Sequence, residues 1–521
     1  MQRRFIEVEG RRVHYRRAGD GPPLVMLHGS PGNSEMLASE MAAASKHFTC
    51  FALDTPGFGG SDPLPGETLG MRDLASATAA AMREIGLPPC PVYGTHTGAV
   101  IGAELAVGWS EQVTGVVLEG FPIFTDDEIA TIFSPAYFSS LVTDPLGGHL
   151  TSTWVRFRDQ FTWFPWASRD VTRLNPVDRP APEDIHHWVM MFYRSCRSYG
   201  PAYRAACFHG HRAYLAADAL TVPAVYMASA EDMLYPHLDR LPTLKAGQRV
   251  ERLSHDPAAK YAAIATFARS MPQAPNVSVA PSLQPAGNDP AVQFVDTPTG
   301  QMFVRFYGEP AATPLILLHD APGSGFALDG IARALAKTHY VVLPDLPGNG
   351  ESDDPAGAGS EDSLAACAAG VVAIIDAFAL KDVTVGAVGC GCAVAALLTR
   401  DPRIAEIVLE NAPTPSAAVA AAIAPDLPIT ADASHWLKAW LMVRDTQIYD
   451  PWYVGTIAAQ RTTQGNFDAD WLHTQTFEIM KARESYHRLP RAAWAFDPSP
   501  ALANATVPVR QAALLSLLGQ K

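Results

Sequence analysis

Residues 94–98 read Gly-Thr-His-Thr-Gly, set between the apolar run Pro91-Val92-Tyr93 and an Ala-rich stretch that starts at Ala99. A strand, a tight turn and a helix in that order hold the central side chain out from the backbone, and where the turn reads G-x-S-x-G it carries a nucleophilic serine. In this chain the apex is His96. Imidazole titrates near neutral pH and can serve as a base or as a nucleophile. Three readings are open. His96 works, activating water or moving a proton; or His96, His255 and His149 converge on a metal such as zinc or iron; or His96 is a hydrogen-bonded turn residue that has left catalysis behind. No His-x-His or His-x3-His spacing in the elbow favours the metal, so neither a metal nor a cofactor is expected.

The elements around this turn are those of an α/β protein. VHYRRAG, LVMLHG and FTCFALD read as strands, TLGMRDLASATAAAMREIG as a helix, and PVYG as the strand entering the turn. Continuous apolar strands such as VVL imply a parallel sheet covered on both faces. From about residue 125 to 220 the pattern changes to Trp-, Tyr- and His-rich helices without strand runs, an insertion suited to a lid. TVPAVYMASAED then resumes the sheet.

The chain repeats itself. LVMLHGSPG returns as LILLHDAPG, DTPGFGGSD as DLPGNGESD, and VVLEG as IVLEN. His28 and His319, Asp54 and Asp345, and Glu119 and Glu410 are each 291 positions apart. The pattern H-x4-W-x3-RD-x5-PW occurs at His149 and again at His435, and TVP occurs at Thr221 and Thr506. A repeat in register over this length means two homologous domains. We place the first at 1–271, with its cap at about 125–220. A Pro/Ser/Ala/Asn-rich linker follows at 272–291, and the second domain is 292–521, with a cap at about 415–500.

With HGSPG, DTPGFGGSD, GTHTG, AEDMLYP and LSHDP in place, each half resembles an α/β-hydrolase-fold domain with a helical cap, in the branch of epoxide hydrolases, haloalkane dehalogenases and C–C-bond hydrolases. The resemblance implies two mostly parallel, doubly wound sheets in tandem. It places one oxyanion-hole amide at Gly29 or Ser30 and the other at Thr97, the catalytic acid at Asp232 and the catalytic histidine at His255. Asp232 would fix the tautomer of His255 and stabilise its imidazolium. It also implies a small, partly apolar carbonyl substrate, hydrolysed at an ester, lactone or C–C bond. A cofactor-free lyase, isomerase or decarboxylase on the same scaffold and a non-catalytic ligand-binding protein are the alternatives, because one fold hosts many chemistries.

The cap repeat offers His149, Trp154 and Arg158 as substrate-binding residues, pointing into the pocket to hold a polar group. A structural reading competes, in which Arg158 and Asp159 pair near a Trp-packed hinge. It gains for Arg158 and Trp154, since both recur in the second half as Arg444 and Trp440. That half is expected to be non-catalytic. HG has become HD at His319–Asp320, and alignment puts Val388 at the apex of VTVGAVGCGC. The counterpart of Asp232 is Leu517, and that of His255 falls past Lys521. Its sheet is expected to lack the last strand and helix, leaving an apolar face that needs a cover. The cover expected is the first domain or another subunit, as if the second half mimicked the partner of an ancestral homodimer.

Composition sets the outer bounds. The 521 residues are 48% hydrophobic and 18% charged, with a net charge of −14. No stretch gathers Lys and Arg, so a nucleic-acid partner is not expected. Seven Cys with no CxxC pair argue for reduced thiols. MQRRFIEVEG lacks the apolar run of a secretory signal, and no apolar stretch is long enough to span a bilayer. A cytoplasmic protein with a small-molecule substrate and no membrane partner is expected.

Overall fold

A computed structural model of the chain describes residues 1–133, 135–138, 140–175, 177–277, 285, 290–355 and 362–519. Much of the expected linker, at 278–284 and 286–289, lies outside the described residues. The chain divides into two compact units, Met1–Val142 with Ser152–Ser282, and Thr143–Thr151 with Leu283–Lys521.

Unit 1 holds an eight-stranded sheet of β1 (Gln2–Val8), β2 (Arg11–Ala18), β3 (Pro23–Leu27), β4 (Thr49–Leu53), β5 (Cys90–Thr95), β6 (Val113–Glu119), β7 (Ala224–Ser229) and β8 (Gln248–Leu253). The spatial order is β1-β2-β4-β3-β5-β6-β7-β8. Only the β1–β2 and β2–β4 pairs are antiparallel. Every residue of β3, β4 and β5 is buried, as a strand covered on both faces must be. The covering helices are α1 (Ala38–Ala44), α2 (Met71–Ile85), α3 (Thr97–Gly108) and, after the cap, α9 (Pro257–Ser270). The cap region carries α4 (Asp126–Ile132), α5 (Gly148–Thr162), α6 (Pro182–Ser195), α7 (Gly200–Cys207) and α8 (His211–Ala219). The helical reading of 71–85 holds: the Asp73 carboxylate accepts the Gly70 N–H at 2.8 Å at its start, and Gly86 ends it in the left-handed conformation.

Unit 2 repeats the plan with β9 (Ala291–Thr297), β10 (Gly300–Tyr307), β11 (Thr313–Leu318), β12 (His339–Pro344), β13 (Val383–Val388), β14 (Ile404–Glu410) and β15 (Val509–Gln511). They are ordered β15-β14-β13-β11-β12-β10-β9. Its helices among the described residues are α10 (Asp329–Leu335), α11 (Ser363–Ala377), α12 (Gly391–Ala396), α13 (Ala417–Ala422), α14 (Ser434–Thr446), α15 (Ala469–Lys481), α16 (Arg488–Ala495) and α17 (Ser499–Ala503). The repeated motifs brace both sheets in the same way. His28 Nε2 accepts the Thr55 N–H at 3.0 Å, and His319 Nε2 accepts the Leu346 N–H at 2.9 Å. Asp54 accepts from the N–H groups of Ser34 and Gly60, and Asp345 from those of Gly325 and Glu351. Motif conservation between the halves is therefore structural at these four positions.

Two expectations about unit 2 need correction. The first concerns the elbow. Thr95 pairs with Glu119 in unit 1, and Val388 with Glu410 in unit 2. His96 N–H then donates to Glu119 O at 2.9 Å, and Gly389 N–H to Glu410 O at 3.0 Å. The apex of unit 2 is Gly389, one residue beyond Val388. The second concerns the exposed face. In unit 1, α9 packs on α1, with Ile264, Phe267 and Ala268 joining Leu37, Met41 and Ala44 in one cluster. In unit 2 a short 3-10 turn, Leu514–Gly519, packs on α10, and Leu514 and Leu517 are fully buried with Leu328, Ala332 and Leu335. Leu517 is a core residue standing in for part of α9, and unit 2's own chain covers this face.

Candidate active site

The elbow is assembled from the sheet outward. β5 stops at Thr95, the hydrogen bond from His96 to β6 fixes the apex, and α3 begins at Thr97. His96 has φ +50° and ψ −110°, a conformation that non-glycine residues seldom adopt and that gathers at functional sites. Gly120, which follows β6 with φ +56°, gives the ring its space. A Cβ there would lie 2.3 Å from His96 Cδ2 and 2.7 Å from Asp232 Oδ2.

On the other side β7 ends at Ser229, and the next turn carries Asp232. Its Oδ1 accepts the Leu234 N–H at 2.8 Å, and its Oδ2 lies 2.9 Å from His96 Nε2. The partner of Asp232 is His96, not His255. The His255 side chain is 86% exposed, and its Nδ1 is 3.5 Å from Glu231 Oε1. The cause is local: Asp256 caps α9 through the Ala258 N–H, which turns the short connection after β8 outward. His255 remains on the cavity rim.

Asp232 is nearly buried, while 41% of the His96 side chain is accessible within the cavity. Burial is the largest influence on each and disfavours both charges. It is outweighed by the pair itself, so the His96 pKa is raised and that of Asp232 lowered. The charge of Glu119 adds to the rise at His96, and Lys260 opposes it. With Nε2–H given to Asp232, the lone pair of the neutral ring is on Nδ1.

The cavity above the elbow has a volume of about 490 Å³. Gly29, Ser30, His96, Thr97 and Asp232 line it, with Glu40, Tyr93, Glu119 and Lys260 from the sheet side and Phe161, Trp163, Phe164, Trp166 and Trp188 from the cap region. Lys260 Nζ is 2.6 Å from Glu40 and 3.5 Å from Glu119, and the Tyr93 hydroxyl donates to Glu119. The two carboxylates outweigh burial and keep the Lys260 pKa above its ordinary value. Burial, reinforced by Glu119 and Glu40, drives the Tyr93 phenol well up. This group carries one more carboxylate than ammonium and favours a positive His96. Its members sit on four separate elements, and only Glu119 stood out in the sequence, as part of a repeated VVLEG.

The three cap residues expected to bind substrate do not line the cavity. His149 is buried in unit 2: its Nδ1 accepts the Asp144 N–H at 3.1 Å, and its Nε2 lies 3.1 Å from His473 Nδ1. Trp154 is buried in packing, and Arg158 is exposed. The pairing expected between Arg158 and Asp159 is replaced by one between Asp159 and Arg169 at 2.9 Å. From the same helix the cavity takes Gln160 and Phe161. The three-histidine metal set is not assembled; among the described residues no group of three or more His, Cys, Asp or Glu could hold a metal ion. Nor is any helix among them long and apolar enough to cross a membrane.

This sheet order, elbow and inserted cap define an α/β-hydrolase architecture, and comparison with known proteins agrees. The family model for the alpha/beta hydrolase fold matches residues 22–256 and 313–451, and the chain belongs to that family. The dihydrolipoyllysine-residue acetyltransferase component of the acetoin cleaving system of Cupriavidus necator is 32% identical over 138 residues, 26% of this chain and 36% of that protein. Haloalkane dehalogenase 2 of Mycobacterium bovis is 29% identical over 130 residues, 25% of this chain and 46% of that protein. The chain thus spans less than half the length of these relatives. Among solved structures, epoxide hydrolase A from Mycobacterium thermoresistibile matches with 20% identity and a TM-score of 0.42, over 52% of this chain and 99% of that one.

Proposed function

We propose that unit 1 is a hydrolase that cleaves a small, partly apolar ester or lactone with a His96–Asp232 dyad in place of a serine nucleophile. The observation that carries this reading is the 2.9 Å contact between His96 Nε2 and Asp232 Oδ2 at the apex of an open elbow. In the proposed reaction, His96 Nδ1 takes a proton from water as the water oxygen attacks the carbonyl carbon. The N–H groups of Ser30 and Thr97 receive the developing oxyanion. Asp232 stabilises the imidazolium, which then gives its proton to the leaving oxygen as the C–O bond breaks. The products are an alcohol and an acid, which ionises to a carboxylate. The aromatic side chains of the cap region supply the apolar wall for the acyl or alcohol portion. Membership of the family and the presence of a dehalogenase among the relatives support hydrolytic chemistry.

A panel of aryl and alkyl esters assayed with wild type, His96→Ala and Asp232→Asn tests the proposal. Turnover that disappears in His96→Ala while the protein stays folded supports it. Turnover that survives this substitution overturns it.

A further inference from the structure

In unit 2, Asp320 stands where unit 1 has Gly29. One of its carboxylate oxygens, Oδ1, accepts two backbone N–H groups, from Ala321 at 2.8 Å and from Cys390 at 2.8 Å. By register these are the counterparts of Ser30 and Thr97. Gly391 confirms the match, because a Cβ there would strike the carbonyls of Leu318 and His319, as one at Gly98 would strike those of Leu27 and His28. Two amides of this turn pair therefore converge on a single carboxylate oxygen, and the chain supplies that oxygen itself.

The exchange is reciprocal. A Cβ on Gly389 would lie 2.2 Å from the Asp320 carboxylate, and a Cβ on Gly29 would lie 3.3 Å from the Cβ of His96. A carboxylate at the loop goes with a bare apex, and an apex side chain goes with a bare loop. In unit 1 Ser30 and Thr97 both line a cavity, and neither N–H meets a backbone acceptor among the described residues. The Ser30 hydroxyl, also buried, has no hydrogen-bond partner among the described residues.

We propose that the turn pair of unit 1 is a carboxylate-binding site, and that Asp320 is the built-in copy of its ligand in unit 2. The ligand class is a small monocarboxylate with an aromatic or apolar tail. One oxygen takes the Ser30 and Thr97 amides, the charge is balanced by protonated His96, and the tail meets Phe161 and Trp188. Charge-assisted bonds of this kind are about twice as strong as neutral ones. The inference deepens the proposed hydrolysis, on which it rests for the ligand's origin: the acid released from an ester is such a carboxylate, so the product holds the site.

Isothermal titration calorimetry with phenylacetate and its neutral analogue phenylacetamide, on the full chain, is the test. The proposal expects one saturable phenylacetate site per chain and binding about tenfold or more weaker for the amide, a gap of about 1.4 kcal/mol. Phenylacetate affinity falls as pH rises through the His96 pKa. Gly29→Asp, which gives unit 1 its own loop carboxylate, removes the site. Equal binding of acid and amide by wild type, no binding of either, or phenylacetate binding that survives Gly29→Asp overturns it. The wild-type comparison decides the matter even where Gly29→Asp fails to fold. Ester turnover is read separately: turnover without acid selectivity sinks this inference alone, and acid-selective binding without turnover upholds it and sinks the hydrolysis.

Discussion

Unit 1 and unit 2 begin from the same strand, turn and helix and finish in opposite chemical states. At the elbow of unit 1 a strained His96 meets Asp232 beside two amides that open on a cavity. At the elbow of unit 2 the apex has no side chain, and the amides are bonded to Asp320. The buried brackets around Asp54 and Asp345 are alike in both. These brackets have been kept although unit 2 has seven strands to unit 1's eight and a 3-10 turn in place of part of α9, while the groups that could do chemistry differ. The bracket motifs therefore report fold, and the apex and loop residues carry the chemical contrast.

Substitutions that erase this contrast are expected to have graded effects. His96→Ala makes the apex of unit 1 as bare as that of unit 2 and should lower kcat/KM by about 10³-fold or more, since a positioned acid–base group is worth about 10²–10⁴-fold; ester turnover with circular dichroism as the folding control reads this. Gly29→Asp should cost about 10²–10³ in kcat by occupying the amides, as loss of oxyanion stabilisation does. Asp232→Asn leaves the ring without a charge partner and should cost about 10²-fold or more, with the rate–pH inflection moved down. In unit 2, Leu514→Ala should lower stability by about 2–5 kcal/mol in urea unfolding, with little change in turnover. His255→Ala should change kcat/KM by less than about threefold, because an exposed imidazole away from the dyad is not the base; a loss as large as that of His96→Ala would restore His255 to the dyad.

Linkage between the dyad and folding gives a further check. The raised His96 pKa means its contribution to stability is full below the unfolded value of 6.5 and fades as pH rises through the folded one. The lowered Asp232 pKa means its contribution is present above 3.8 and fades as pH falls through the folded value. The difference in Tm between wild type and Asp232→Asn should therefore be greatest between about pH 4 and 6.5 and shrink on both sides. A difference that does not vary with pH would mean that the two groups are not paired.

The duplication, the α/β class and the elbow were legible in the sequence because they rest on local pattern: apolar runs, turn residues and motifs held 291 positions apart. Asp232 was legible for the same reason, as the acid at the end of a strand. Its partner was not, because which imidazole reaches Oδ2 depends on the direction of the connection after β8 and on the absence of a Cβ at Gly120. The apex of unit 2 was misplaced by one residue, since only strand pairing between β13 and β14 fixes Gly389. His149 looked like a cap residue over a pocket, yet its neighbour is His473, 324 positions away, a tertiary contact with no local signature. Glu40, Tyr93 and Lys260 were hidden in the same way, while Glu119 showed only as part of a repeated strand.

The pH dependence of kcat/KM for one cleavable ester, compared between wild type and Asp232→Asn, tests the central claim most directly. A His96 base held by Asp232 predicts a rate that rises with pH through an inflection above 6.5 in wild type, moved to lower pH in the variant. An inflection at the same pH in both proteins would contradict it.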